Sequence, residues 1–250
     1  MISKNDSVPL HKQVEAILKD LIINKLKPDD QIPSERDLCK MYGLSRTTIR
    51  QAINKEVNEG NLYRIQGKGT FVAKPKIYQE LFKMSSFKET ILARGMKPKM
   101  MIYSSDFLIA NLQTATLLNI SPHEEILKII LVGYADEEPI ALYKSYLPAG
   151  LGQLTLKEAE KCEKNGEAFS TFELYKNCCD VEPHITNQTF EAILPNDFSA
   201  KVLKICNNQP VFKVTSLVYT KENKPIEYKE AYYRGDKFKF NISRKHIITP

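Results

Sequence analysis

Residues 33–72, PSERDLCKMYGLSRTTIRQAINKEVNEGNLYRIQGKGTFV, constrain this chain more than any other stretch, because their punctuation leaves room for one local architecture. Ser34 is a helix N-cap with Asp37 as its capping-box partner three residues on, and Pro33 stops any helix upstream. That helix ends at Met41-Tyr42-Gly43, where glycine can take the left-handed conformation that strains other residues. Ser45 caps a second helix, so Arg46, Thr47 and Thr48 occupy its exposed first turn and Arg50 the next. Leu38, Met41, Leu44, Ile49, Ile53 and Val57 fall on the expected buried side. Downstream, Leu62-Tyr63-Arg64-Ile65 and Thr70-Phe71-Val72 flank Gln66-Gly67-Lys68-Gly69, a strand, a turn and a strand. Two capped helices, a tight turn and a glycine-tipped hairpin make a winged helix-turn-helix, a device for reading duplex DNA.

Each residue has an ordinary structural reading when taken alone, since serine caps and surface arginines are common. Order and spacing together point to DNA. The candidate contacts are Ser34, Arg36, Ser45, Arg46, Thr47, Thr48 and Arg50 on the helix pair, and Gly67, Lys68, Gly69 and Thr70 at the hairpin tip. Gly67 and Gly69 let the tip backbone approach a phosphate or enter a minor groove. Glu35 is unexpected on a surface facing phosphates, and its expected role is to orient an arginine. Charge is distributed to match. The chain is +6 overall; residues 1–76 hold 14 Lys and Arg against 9 Asp and Glu, leaving 22 against 21 in the remainder. Nearly all the excess positive charge therefore sits in the DNA-reading segment.

The 250 residues suffice for about two domains. The chain has no apolar run of the roughly 18 residues a membrane span needs, and its polar start lacks a signal-peptide core, so a cytoplasmic protein with no membrane partner is expected. The five cysteines form no metal-binding spacing and join no histidine pattern, so no metal and no cofactor are expected. The adjacent Cys178-Cys179 could serve as a redox sensor, but packing is the expected role, with only Lys176 nearby to lower a thiol pKa. No HExxH, P-loop or Ser/His/Asp order occurs, so no catalytic residue is assigned.

Ahead of the helix pair, Val14, Ile17, Leu18, Leu21 and Ile22 recur at helical spacing up to Asn24, giving a third helix. Ala73-Lys74-Pro75-Lys76 reads as a domain break. The expected division is a DNA-binding domain over 1–74, a linker leading into the second domain over 75–94, and an effector-binding and dimerisation domain over 95–250. Ser86 reads as an N-cap for a helix ending at Arg94-Gly95, and the amides around Ser85, Ser86 and Phe87 could take an anion. Strands are expected at 100–108, 126–135, 140–147, 185–193, 210–220 and 226–234, and helices at 111–118, 156–164, 170–176 and 199–203. Two hairpins, each leaving its turn through Pro-Ile, hint at an internal duplication. The fold class is α+β, with a mostly antiparallel sheet carrying helices on one face.

From Pro9-Leu10-His11-Lys12-Gln13-Val14 through Pro33-Ser34-Glu35-Arg36-Asp37-Leu38 and Ser45-Arg46-Thr47-Thr48-Ile49-Arg50 to Gln66-Gly67-Lys68-Gly69-Thr70-Phe71-Val72, the chain resembles the GntR family of bacterial transcription regulators. Ala135-Asp136-Glu137-Glu138-Pro139-Ile140-Ala141, Ser145-Tyr146-Leu147-Pro148 and Tyr233-Arg234-Gly235-Asp236-Lys237-Phe238-Lys239-Phe240 resemble the UTRA effector domain of its HutC subfamily, similar in fold to chorismate lyase. The resemblance implies an effector pocket formed by Ser145, Ser170, Glu227 and Tyr233, to which the amides around Ser85, Ser86 and Phe87 are added as a candidate anion site. In the phosphosugar-sensing branch, a pair of arginines and a tyrosine complete it, and here those positions hold Leu131, Gly133 and Phe172. Losing two guanidiniums weakens the expectation of a bound phosphate, because arginine is the side chain best shaped for bidentate capture. Lys128 and Lys144 are close in sequence but cannot be placed on the pocket side. Ser145 could instead pair with backbone and Tyr233 could be a core aromatic. The implied function is a dimeric, ligand-responsive repressor, released from a palindromic operator by a small molecule of the sugar or phosphosugar class. Two other classes stand beside it: an enzyme of the lyase-like fold, and a DNA-binding protein that needs no effector.

Overall fold

The computed structural model describes residues 9–73, 77–80, 86–179 and 181–241. The chain forms two compact units, residues 1–75 and 76–250.

In the first unit, α1 (Leu10–Asn24), α2 (Glu35–Tyr42) and α3 (Arg46–Asn58) precede a hairpin of β1 (Leu62–Ile65) and β2 (Gly69–Val72). The helix ends follow the local signals. The Ser34 and Ser45 hydroxyls accept from the amides of Asp37 and Thr48, and Gly43 closes α2 with φ 63°. Asp37 does not complete the reciprocal half of a capping box; its carboxylate accepts the Ser34 hydroxyl at 2.6 Å instead, the shorter side chain reaching only that far. Val14 and Leu18 of α1 meet Leu38, Ile49, Ile53, Leu62 and Val72 in a closed core. Each such burial contributes about 1.5–3 kcal/mol. Met41 is a correction to the expected buried side: it is 62 % exposed. Cys39 and Tyr42 are the α2 residues that pack beside Leu38, and helical spacing puts Met41 beyond Leu38, on the side away from Cys39. Two carboxylates tie α1 to α3: buried Glu15 pairs with Lys55 at 2.9 Å, and fully buried Glu56 accepts from Asn61 at 2.8 Å with Lys19 at 3.7 Å.

The second unit runs β3 (Ile77–Glu80), α4 (Phe87–Leu92), β4 (Pro98–Ile109), α5 (Leu112–Leu118), β5 (Glu125–Ala135), β6 (Glu138–Pro148), α6 (Ala149–Lys164), α7 (Thr171–Cys179), β7 (Ile185–Ile193), α8 (Asp197–Leu203), β8 (Val211–Tyr219), β9 (Pro225–Arg234) and β10 (Phe238–Asn241). Its six-stranded sheet has the order β4-β5-β6-β9-β8-β7, antiparallel at every pairing. The hinted duplication has a structural counterpart. Each half of the sheet is strand, short helix, hairpin (β4-α5-β5-β6 and β7-α8-β8-β9), and α5 and α8 share an asparagine N-cap and a left-handed C-cap.

Helices cover both faces, not one as expected. Leu127, Ile129 and Leu131 pack under α4, α6 and α7, while Ile126, Ile130 and Val132 pack against α5 and α8. The near-continuous apolar run of β5 is the sequence correlate of burial on both sides. Helix α6 starts seven residues before the expected position 156. Gly150 and Gly152 conceal that start, yet Gly152 is required there: a Cβ would lie 2.5 Å from the Leu127 Cβ, so its absence lets the helix descend onto β5. Two strands escaped the periodicity, β3 and β10, which pair in parallel with Phe238 opposite Ile77.

The UTRA-like motifs converge on one ion network. Arg234, at the end of β9, contacts Glu138 Oε1 at 2.8 Å and Asp236 Oδ2 at 2.6 Å and donates to the Pro139 carbonyl at 3.2 Å; Lys237 reaches the other Glu138 oxygen at 2.8 Å. This network fastens the start of β6 to the end of β9.

Candidate functional site

Two sites emerge, one in each unit. In the first, α3 presents Arg46, Thr47 and Arg50 to solvent at its N-terminal end, and Ile49, Ala52 and Ile53 bury its other side. Arg36 is exposed on α2. The hydroxyls of Ser34, Ser45 and Thr48 are spent within the fold: Ser34 caps α2, Ser45 caps α3, and the Thr48 hydroxyl lies 2.9 Å from that of Ser45. Glu35 does bind an arginine. It receives Arg50 Nε and Nη2 at 3.0–3.3 Å and has Arg64 Nη2 at 3.6 Å, so one carboxylate holds guanidiniums from α3 and the hairpin. This pairing holds Arg50 above its ordinary pKa through its hydrogen bond and charge. Arg64, which sequence reasoning missed, also donates to Asn54 at 2.7 Å.

The hairpin tip is held by backbone geometry. Gly67 and Gly69 have φ 75° and 132°, conformations that are strained for residues with a Cβ. Gln31 donates to the Lys68 carbonyl at 2.9 Å, and a Cβ on Gly69 would overlap the Gln31 amide. Lys68 is exposed at the tip, and Thr70 is half-buried in β2 opposite Arg64.

In the second unit, α4, α7 and the α4-facing side of the sheet line a cavity of about 520 Å³ that opens to solvent, within the size range of small-molecule sites. Of the residues expected in an effector pocket, Ser86, Phe87, Leu131, Ser145, Ser170, Phe172 and Tyr233 line it. Ser85 lies outside the described residues. Gly133 and Glu227 are corrections. Gly133 is not in the wall: the Phe87 ring stands over it, 2.7 Å from where a Cβ would be. Glu227 is fully buried behind the wall, where its Oε2 accepts from Thr171 at 3.1 Å and from Lys229 at 3.4 Å.

Lys128 and Lys144 face away from the cavity. Lys128 alternates with the inward Leu127 and Ile129, and the Lys144 ammonium lies over the Phe198 and Tyr232 rings at 5.2 and 5.0 Å. The lysine in the wall is Lys229, 4.3 Å from the Phe172 ring centroid. Sequence reasoning missed it, although period two carried the signal: a strand that turns Tyr233 inward also turns Ala231 and Lys229 inward. Tyr143, His184, Gln188, Phe190, Phe238 and Phe240 are among the other lining residues it missed. Burial pushes the Tyr143 phenol well above its ordinary value, with Tyr233 adding to the effect, so it is a neutral hydrogen-bonding group. Ser145 is fully buried, and its hydroxyl has no hydrogen-bond partner among the described residues.

Residues 10–72 match the model for bacterial regulatory proteins of the gntR family, and residues 93–239 match that for the UTRA domain. The HTH-type transcriptional repressor NagR of Bacillus subtilis is 31 % identical over 240 residues, covering 96 % of each chain. This chain belongs to the GntR family of transcription regulators, in its HutC branch. The mannosyl-D-glycerate transport/metabolism system repressor MngR of Escherichia coli is 26 % identical over 236 residues, covering 94 % of this GntR chain and 95 % of its own. The crystal structure of PhnF from Mycobacterium smegmatis superimposes with a TM-score of 0.65 at 26 % identity, covering 93 % of this chain and 99 % of that one. The GntR regulator is not an enzyme, and the lyase-like alternative falls with that. Among the described residues, no helix is long and apolar enough to cross a membrane.

Proposed function

We propose that this regulator is a cytoplasmic repressor that binds a palindromic operator as a twofold dimer and leaves it when a sugar-class effector fills the cavity of the second unit. One α3 reads only a few base pairs, so useful specificity requires two half-sites and hence two copies. Arg36, Arg46, Thr47 and Arg50 contact bases and phosphates, with Glu35 setting the direction of Arg50. Ser34, Ser45 and Thr48 fix the helix ends that present them. Gly67, Lys68, Gly69 and Thr70 bring the hairpin to the adjacent groove.

The observation that carries the effector half of this reading is Ser145, a buried hydroxyl in the cavity wall with no partner among the described residues. A bound molecule supplies the missing partner, and polar groups so buried are otherwise satisfied. Effector control through the segment 74–84 is supported by the pairing of β3 with β10: Phe238 and Phe240 line the cavity, and β3 is the first described strand after residue 76. A coupling of ~1–3 kcal/mol between the two sites is the ordinary scale. The names of NagR and MngR, both repressors, agree with the sign of regulation, and that of MngR with a sugar-class effector. A mobility-shift assay checks the whole: retardation of the region upstream of the protein's own operon over random DNA, reversed by a compound from a sugar panel. Equal affinity for both DNAs refutes the proposal.

A further inference from the structure

We propose that the cavity selects an uncharged, hydroxyl-bearing ring compound and excludes its phosphorylated form. This rests on the reading of the cavity as the effector site. Two helices begin at its wall, and at the first turn of each, where an anion would seek amides, the chain sets one of its own carboxylates. At α4, Glu89 accepts from the Ser86 amide at 3.0 Å while the Ser86 hydroxyl accepts from the Glu89 amide, a complete capping box. At α7, Glu173 accepts from the Ser170 amide at 2.7 Å and from the Ser170 hydroxyl at 2.8 Å. Glu89 and Glu173 both line the cavity, so an incoming phosphate meets negative charge where it needs donors.

Among the described residues the wall contains no arginine. Its lysine, Lys229, is committed to Glu227, which is fully buried. A ligand anion that drew Lys229 away would strand that carboxylate without a cation, a costly state in a low-dielectric interior. The polar groups left for a ligand include the Ser145, Thr186 and Ser216 hydroxyls, the Tyr143 phenol, the His184 imidazole and the Gln188 amide, which itself donates to Ser216 at 3.0 Å. Eight aromatic side chains form much of the remaining wall, flat apolar surfaces against which a ring can lie.

The test uses the full chain and matched pairs differing only in phosphate: glucose, mannose and N-acetylglucosamine, each against its 6-phosphate, followed by thermal melting and calorimetry. At least one parent sugar is expected to bind roughly tenfold tighter than its 6-phosphate and to lose that binding in Ser145→Ala. A 6-phosphate that binds more tightly than its parent, or a panel in which no parent sugar binds, overturns the inference. Operator binding is read in the same samples. A 6-phosphate that releases the operator overturns this inference and leaves the repressor reading intact. A parent sugar that binds through Ser145 without weakening operator binding supports the inference and overturns effector control. In a second arm, Glu173→Ala frees the Ser170 amide and removes the negative charge from the start of α7, and inorganic phosphate is expected to raise its melting temperature by roughly 2 °C while leaving the unaltered chain unmoved. Equal responses in the two proteins overturn the inference.

Discussion

Gly133 occupies a position where the phosphosugar-sensing relatives are expected to carry arginine, and the structure shows what stands in the way of a side chain there. A Cβ on Gly133 would sit 2.7, 2.9 and 3.3 Å from Cζ, Cε2 and Cε1 of the Phe87 ring. The shortest contact falls about 0.8 Å inside the roughly 3.5 Å at which carbon pairs begin to attract. Phe87 is buried and meets the Tyr143 ring edge-on at 6.3 Å, so the ring cannot retreat without repacking. Overpacking of this kind costs ~1–3 kcal/mol, and because Phe87 borders the cavity and can yield into it, Gly133→Ala is expected at the lower end, ~1 kcal/mol. Urea unfolding followed by circular dichroism measures it. Adding Phe87→Leu is expected to recover most of the loss, a coupling of at least ~0.5 kcal/mol. Gly133→Arg, whose stem begins inside the ring, is expected to cost ~3 kcal/mol. If Gly133→Ala is as stable as the unaltered chain, or if its cost is unchanged by Phe87→Leu, the ring does not determine this position.

Arg234→Ala takes the guanidinium from Asp236 and leaves Glu138 with Lys237 alone; both carboxylates are 40 % exposed, so solvent recovers part of a buried pair's worth and a loss of ~2 kcal/mol in urea is expected. Burial pulls the Asp236 carboxyl up, but Arg234 outweighs it and holds that group below its ordinary value. A lowered folded-state pKa contributes stability that is complete above the unfolded-state value and is lost as pH falls through the folded one. Stability between about pH 6 and pH 3 is therefore expected to fall more steeply in the unaltered chain than in Arg234→Ala. In the first unit, Arg46→Ala is expected to weaken operator binding and to reduce the slope of log affinity against log salt by about one if the contact is to phosphate. Fluorescence anisotropy across a salt series reads both. Burial pushes the Cys178 thiol up to about 12, with its hydrogen bond to Cys179 adding to the shift. Iodoacetamide at about pH 8 is therefore expected to alkylate exposed Cys206 long before Cys178, as peptide mass spectrometry would show.

The parts of this protein legible in its sequence are those whose physics is local. Ser34, Ser45 and Ser86 cap helices because the free amides lie within three residues of each hydroxyl, and Gly43 and Gly67 mark backbone that only glycine adopts without strain. Strands β5, β8 and β9 declare themselves through composition and bounded length. Where a longer-range contact overrides a local signal, the sequence misleads. Gly150 and Gly152 read as helix breakers, yet α6 runs through them because Leu127 needs the space. Met41 sits in an apolar pattern yet faces solvent, because the direction of α2 against α1 and α3 is set by packing.

The cavity marks the limit of such reading. Sequence similarity could name Ser145 and Tyr233, but it could not show that the Phe87 ring stands over Gly133, that Lys229 is committed to Glu227, or that Glu89 and Glu173 accept from the Ser86 and Ser170 amides at the cavity wall. Sequence alone determined a winged DNA-reading head and a β-rich second domain, since helix capping, turn chemistry and hydrophobic period act over a few residues. Tertiary structure decided which charges meet in the cavity. Its wall is drawn from α4, α7 and five or more strands that are distant along the chain, and the electrostatics of a site depend on distances through space, which the order of residues does not contain.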